Sequence, residues 1–303
     1  MRGRFAPSPT GDLHLGGALT ALAAWLRVRC ANGRFVVRME DLDPPRVVAG
    51  SSDRILDDLE WLGLRWDEGP RVGGPHAPYF QSERREHYDA AIRHLETMGL
   101  TYPCTCTRAD IARASSAPHA SEEGPRYPGT CRDLGGAKGD DRAAAVRLRI
   151  PDDAPDVANS VGDFVLRRAD GVASYQLAVV VDDLDMQIDE VVRGDDLLSS
   201  TPRQLLLAQL LGKRAPAYVH LSMVLGPDGE RLAKRHQSKF VGSTIAELRS
   251  EGWSSAEVLG ALSYGLGLLS TPAGIDLTEL CDRARAVGIR RFTSWKPSFV
   301  RPR

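Results

Sequence analysis

The chain has 303 residues, 42% of them hydrophobic, and a formal net charge of −1. That is enough to bury the core of one large domain or two ordinary ones, and it excludes a fibrous or disordered chain. The near-neutral balance gives no sign of a globally basic nucleic-acid binder, the N-terminus lacks the apolar stretch of a signal peptide, and no apolar run reaches membrane-spanning length; a cytoplasmic protein without a membrane segment is expected.

In chain order, a first strand is expected to end near Phe5 and Ala6, followed by the loop "PSPTGDLHLGG". Leu15, Leu19, Leu22 and Leu26 then recur at helical spacing over 15–29. A second strand is expected at Phe35 to Met39, then the acidic turn "EDLDP" and a helix from about Ser51 to Leu62. Between Thr101 and Asp141 the composition shifts to Cys, Ser, Pro, Gly and charge, with a short helix after Thr107, as in an inserted module. Val146 to Ile150, Val165 to Arg168 and Tyr175 to Val181 read as strands in which the sheet resumes, the last being apolar enough for burial on both faces. Residues 203–211 read as a helix, "SMVLGPDGERLAKR" as a hairpin turned by Pro227, Asp228 and Gly229, and the sequence beyond Ser243 as a small helical part. This alternation predicts an α/β fold around a parallel sheet. Residues 282–303 hold seven basic side chains against one acid, Asp282, which suits phosphate contacts or simply a solvated surface.

A loop that leaves a strand and starts a helix offers unpaired backbone N–H groups and the positive end of the helix dipole, which attract phosphate. Gly11, Gly16 and Gly17 let a nucleotide approach the backbone, and His14 stands where it can donate to a phosphate oxygen. Far downstream, Lys234 in "RLAKR" is a candidate counter-charge for a phosphate transition state. Taken singly, each feature is more often an ordinary turn or a basic loop. The five cysteines are an odd number without a signal peptide, which argues against a disulfide framework. Cys104, Cys106 and Cys131 lie close enough in sequence for a tetrahedral zinc site with a fourth ligand, for which spacing alone nominates His119; three reduced cysteines in a loop are the alternative.

Together the motifs say more. "PSPTGDLHLGG" matches the HIGH-type and "RLAKR" the KMSKS-type signature of class I aminoacyl-tRNA synthetases, in the right order. With "RFAPSPTG", "RMEDLDPPR" and "VVVDDLDMQIDEVVRGDDLL", the chain closely resembles the glutamyl-tRNA synthetase catalytic domain over roughly residues 3–245. The resemblance implies a Rossmann-like catalytic domain over 1–242, interrupted by a zinc or acceptor-type module at about 100–142, with a helical part at 243–303. It implies ATP, accompanied by Mg2+, and L-glutamate as substrates, with His14 and Lys234 in catalysis and Ser8, His14, Gly16, Gly17 and Lys234 on ATP. Glutamate would lie against Arg4, Phe5, Ala6, Pro7, Ser8, Glu40, Tyr175 and Arg193, the arginines meeting its carboxylate and Glu40 its ammonium, because each buried charge is costly without a partner.

The run C-x-C, twenty residues, Y-x-x-x-C is similar to that of a short paralogue within this family, which makes Tyr127 the fourth ligand of one structural Zn2+ per chain. The chain also ends soon after the KMSKS-like loop, where the longer members continue into an anticodon-binding domain. That resemblance implies activation of glutamate without tRNA and its attachment to queuosine, at the wobble position of tRNA(Asp), by a monomeric enzyme. Two departures stand out: Val179 replaces a usual Asn, which should weaken glutamate binding, and "RLAKR" lacks the first Lys and both Ser of KMSKS. The alternatives are a truncated enzyme charging the tRNA 3′ end, a non-catalytic RNA-binding paralogue, and a small-molecule nucleotidylyltransferase.

Overall fold

A computed structural model describes residues 1–114, 126–134, 142–160, 162–221 and 244–287. The expected hairpin at 222–235 with Lys234, the alternative ligand His119 and the basic tail from residue 288 lie outside the described residues.

The elements run β1 (Arg2–Phe5), α1 (Leu15–Cys30), β2 (Arg34–Val37), α2 (Ser51–Trp61), α3 (Arg85–Thr97), β3 (Thr101–Cys104), α4 (Arg108–Ala114), β4 (Ala145–Leu148) and α5 (Pro155–Ser160). They continue with β5 (Val165–Arg167), α6 (Tyr175–Asp185), β6 (Glu190–Gly194), α7 (Thr201–Leu210), β7 (Ala217–Leu221), α8 (Ile245–Ser250), α9 (Ser255–Gly265) and α10 (Leu277–Val287). The chain divides into two compact units.

The first unit comprises residues 1–83, 186–199 and those from 216 onward. Its sheet is parallel with order β2-β1-β6-β7. In a parallel ladder, paired residues point to the same face, so the register sorts the side chains. Phe5, Phe35, Val37, Val192 and Leu221 share one face and enter the main apolar core with the leucines of α1. The other face carries Arg4, Val36, Val191, Arg193, Tyr218 and His220, of which Val36 and Val191 join a smaller cluster with Tyr79, Met186 and Ile188. Ile245, Leu248, Val258, Leu262 and Leu280 of the C-terminal helices are buried in the same core as α1. Thr244 and Ser254 start α8 and α9 with capping boxes closed by Glu247 and Glu257.

Asp58 interrupts the apolar face of α2. Its side chain is 1% exposed, neither oxygen accepts a hydrogen bond among the described residues, and Arg249 Nη1 stands 3.6 Å from Oδ1. Burial, only partly offset by Arg249, pushes this carboxyl up to about 6 from 3.8. The folded value exceeds the unfolded one, so the carboxyl's contribution is fully present below 3.8 and is lost as pH rises through about 6. Asp58→Asn should therefore raise stability by up to about 3 kcal/mol at pH 8 and leave it unchanged at pH ~3. Urea unfolding at both pH values checks this, and equal effects at the two would contradict it.

The second unit comprises residues 84–185 and 200–215. Here the structure corrects two expectations. The strands at 145–148 and 165–167 do not resume the parallel sheet; they form a separate antiparallel sheet of order β3-β4-β5. Tyr175 to Val181 is not a strand but the start of α6, in which every residue from Leu177 to Asp183 is buried. An apolar run enclosed on all sides shows no period that separates a strand from a helix. The unit is held by an ionic cluster: Arg84 donates to Asp182 at 2.7 Å and to Asp185 at 2.6 Å, and Tyr88 donates to Asp182 at 3.0 Å.

Candidate active site

In a sheet of order β2-β1-β6-β7, the connections leave β1 and β6 in opposite directions. Ligands of such sheets bind beyond the carboxyl ends of the strands at that switch point. The segments leaving β1 and β6 are the ones the motifs single out.

After β1 the chain turns through Ala6, Pro7 and the exposed Ser8 to His14, which caps α1 in extended conformation. No acidic residue stands in the first turn of α1, where the N–H groups of Leu15, Gly16 and Gly17 precede the first helical bond, from Ala18 to the His14 carbonyl. The loop is pinned from outside. Pro9 accepts from the Val48 N–H, Arg54 pairs with Asp12 at 2.6 Å, and the buried Ser51 hydroxyl both donates to the Gly11 carbonyl and accepts from its N–H. Gly11 has φ +145°, which a side chain would strain. On its other flank His14 forms an antiparallel bridge with Thr244, and the Ile245 N–H donates to the Leu13 carbonyl. Thr244 and Ile245 are thus fixed to the start of α1. Lys234 itself lies outside the described residues.

The two predicted glutamate cations come together. Arg4 pairs in register with Val191, and Arg193 sits two residues further along the same face. Both are buried, at 5% and 3% exposure. Glu40 is brought to the loop by its own N–H, which donates to the Pro7 carbonyl at 2.9 Å, and Arg38 reaches its carboxylate at 3.3 Å. Phe5 turns to the opposite face, into the core, so its side chain supports the strand rather than lining this side. Tyr175, half-exposed at the start of α6, and the buried Val179 belong to the second unit.

Two neighbours of Arg193 escaped sequence reasoning. Its Nε–H donates to Nε2 of His220 at 3.2 Å, and its guanidinium lies over the Tyr218 ring at 4.5 Å. Burial first, and then the Arg193 charge, hold the His220 imidazole below its ordinary pKa. Only the register of β6 against β7 makes these residues neighbours, and sequence does not reveal register. Ser51 was equally illegible, being one small residue at a helix start.

The second unit holds a donor cluster. The sulfurs of Cys104, Cys106 and Cys131 all lie within 4.8 Å of one another. The Tyr127 hydroxyl stands 3.4 Å from Cys104 Sγ and 3.8 Å from Cys106 Sγ, and accepts from the Cys131 N–H at 2.8 Å. A zinc–sulfur bond of about 2.3 Å needs sulfurs roughly 3.8 Å apart around a tetrahedron; Cys106 and Cys131, at 3.5 Å, are near that spacing. Three thiols and a phenol therefore fit one zinc ion. Burial, then the bond to Cys131, pushes Cys106 up to about 11. Burial also opposes the Cys104 thiolate, but hydrogen bonds from Tyr127 and Arg147 outweigh it and lower that thiol.

Comparison with known proteins decides the family. Residues 1–264 match the family model of the class I tRNA synthetases (E and Q), catalytic domain. The chain belongs to this family. It is 48% identical, over 92% of its length and 90% of the relative, to the glutamyl-Q tRNA(Asp) synthetase of Symbiobacterium thermophilum. It is also 48% identical to the protein of the same name from Nocardia farcinica, over 89% of its own length and 86% of that protein. Among solved structures, the glutamate-tRNA synthetase of Elizabethkingia anophelis superposes with a TM-score of 0.82 at 28% identity, covering 99% of this chain and 68% of that one. The parallel sheet with its switch-point loop is accordingly a class I synthetase catalytic fold, and the chain is a member of a ligase family. No helix among the described residues is long and apolar enough to cross a membrane.

Proposed function

We propose that this class I synthetase activates L-glutamate with ATP in the absence of tRNA and transfers the glutamyl group to queuosine in tRNA(Asp). The observation that carries the amino-acid half is that two buried arginines, Arg4 and Arg193, stand on one sheet face toward the carboxyl ends of β1 and β6. A guanidinium offers paired N–H donors whose spacing matches a carboxylate, and the side-chain carboxylate of glutamate supplies one. Glu40 takes the ammonium, and Ser8 and the Ala6–Pro7 backbone line the loop side. The acceptor rests on the 48% identity, over about nine-tenths of both chains, to relatives that carry the glutamyl-Q tRNA(Asp) synthetase name.

The reaction needs no protein nucleophile. An oxygen of the glutamate α-carboxylate attacks the α-phosphorus of ATP, the bond to the bridging oxygen breaks, and pyrophosphate leaves. The chain's part is to align the reactants and meet the phosphate charge. The N–H groups at the start of α1, with Gly16 and Gly17 keeping the approach open, receive the phosphates beside His14. Lys234 meets the departing pyrophosphate, and Mg2+, when bound with ATP, would supply further phosphate neutralisation. In the second step a queuosine hydroxyl attacks the adenylate carbonyl and AMP leaves.

Cys104, Cys106, Cys131 and Tyr127 would hold one structural zinc ion. Wild-type protein should retain about one zinc per chain after dialysis, and Tyr127→Phe should lose it to a competing chelator at a concentration at least tenfold lower. Wild-type protein purified and dialysed without zinc would sink this assignment. A monomer in the cytosol, where thiols stay reduced, completes the reading.

ATP–pyrophosphate exchange tests the activation step. Glutamate-dependent exchange without tRNA, lost in Lys234→Ala, is the expected result. Exchange only when tRNA is added would instead identify an enzyme that charges the tRNA 3′ end, and silence in both conditions a non-catalytic paralogue.

A further inference from the structure

Arg193 is held from two sides by residues of β7. The Cα register sets Arg193 opposite His220 and Val191 opposite Tyr218, so all four side chains stand on one face of the sheet. The Tyr218 and His220 rings are nearly parallel, inclined at 13° with centroids 6.3 Å apart. Arg193 reaches across both, its guanidinium 4.5 Å from the Tyr218 centroid and its Nε 3.2 Å from His220 Nε2. A guanidinium only donates, so His220 Nε2 must present a lone pair, which places the imidazole proton on Nδ1.

An arginine that meets a carboxylate through two parallel N–H groups must have its plane fixed, and the long side chain does not fix it alone. We propose that His220 is a positioning residue of the glutamate site: its neutral imidazole accepts the Nε proton of Arg193 and, with the Tyr218 ring, sets the guanidinium plane that receives the substrate carboxylate. This rests on the glutamate reading above. It adds that affinity for the amino acid depends on a strand that itself carries no charge toward the ligand. The same bond selects against the imidazolium, which has no lone pair and would set a second cation 3.2 Å from Arg193.

The test has two arms on the full chain. In the first, nitrogen-15 NMR of the histidine side chains in the free protein should show His220 as the Nδ1–H tautomer, with its Nε2 resonance shifted in Arg193→Gln. The Nε2–H tautomer, or a resonance indifferent to Arg193→Gln, would overturn the proposal whatever the protein's activity. In the second, pyrophosphate exchange is followed against glutamate and against ATP in His220→Phe and His220→Gln, both checked for a wild-type unfolding midpoint. The phenyl ring cannot accept, so the KM for glutamate should rise about ten- to a hundredfold with the KM for ATP unchanged; glutamine offers an acceptor oxygen near the Nε2 position and should recover most of it. Equal losses in the two variants, or a rise shared by the ATP KM, would mean that His220 only packs. Wild-type protein that shows the expected tautomer but no glutamate dependence would remove the glutamate reading and leave the Arg193–His220 contact standing.

Discussion

Arg193→Gln should lower kcat/KM for glutamate in pyrophosphate exchange about a thousandfold while leaving the ATP KM within a few-fold. The size follows from what the side chain does: a charged, desolvated partner removed from a buried carboxylate costs on the order of 2 to 5 kcal/mol, much of it the penalty of a stranded charge. The protein's stability should change far less. Arg193 is buried against the His220 imidazole and the Tyr218 ring, and glutamine keeps an N–H donor and much of the side-chain volume there. The thermal midpoint of Arg193→Gln should stay within a few degrees of wild type. A midpoint that falls along with activity would show that Arg193 supports the fold and would sink its assignment to the substrate.

The largest effect on stability is expected in the second unit. Asp182 and Arg84 are both 0% exposed, with Tyr88 completing the cluster. Asp182→Ala leaves a guanidinium enclosed without its main counter-charge and should cost about 3 to 5 kcal/mol. Asp185 also binds Arg84 but is 39% exposed, so Asp185→Ala should cost less than about 1 kcal/mol. Replacing the pair together, Arg84→Met with Asp182→Leu, should recover much of the loss, because no charge is then left buried. Urea unfolding of the four proteins gives the comparison, and equal costs for the two aspartates would refute the argument.

Sequence made legible what depends on local pattern. The leucine spacing located α1 to within a residue at each end, and the cysteine spacing found three sulfurs that the fold gathers. It failed where tertiary burial overrides pattern: Leu177 to Val181 are apolar and rich in β-branched residues, so they read as a strand, yet they wind as a helix because the surrounding unit encloses them. The inserted sheet was likewise merged with the main one, since strand pairing between residues 101–104 and 145–148 leaves no local trace. Of the candidate site, Arg4, Glu40 and Arg193 were found only through resemblance; nothing in an isolated arginine marks it as a ligand. Spacing alone leaves the fourth member of the donor cluster open, and geometry sets Tyr127 within reach of the sulfurs.

The bridge between Arg84 and Asp185 joins positions 101 apart in sequence at 2.6 Å. The stretch between them enters and leaves through one narrow gap, like a purse drawn at its mouth. Closing a loop costs only slowly more as it lengthens, so the bridge holds the two ends of this stretch together at a cost that depends little on how many residues lie between them.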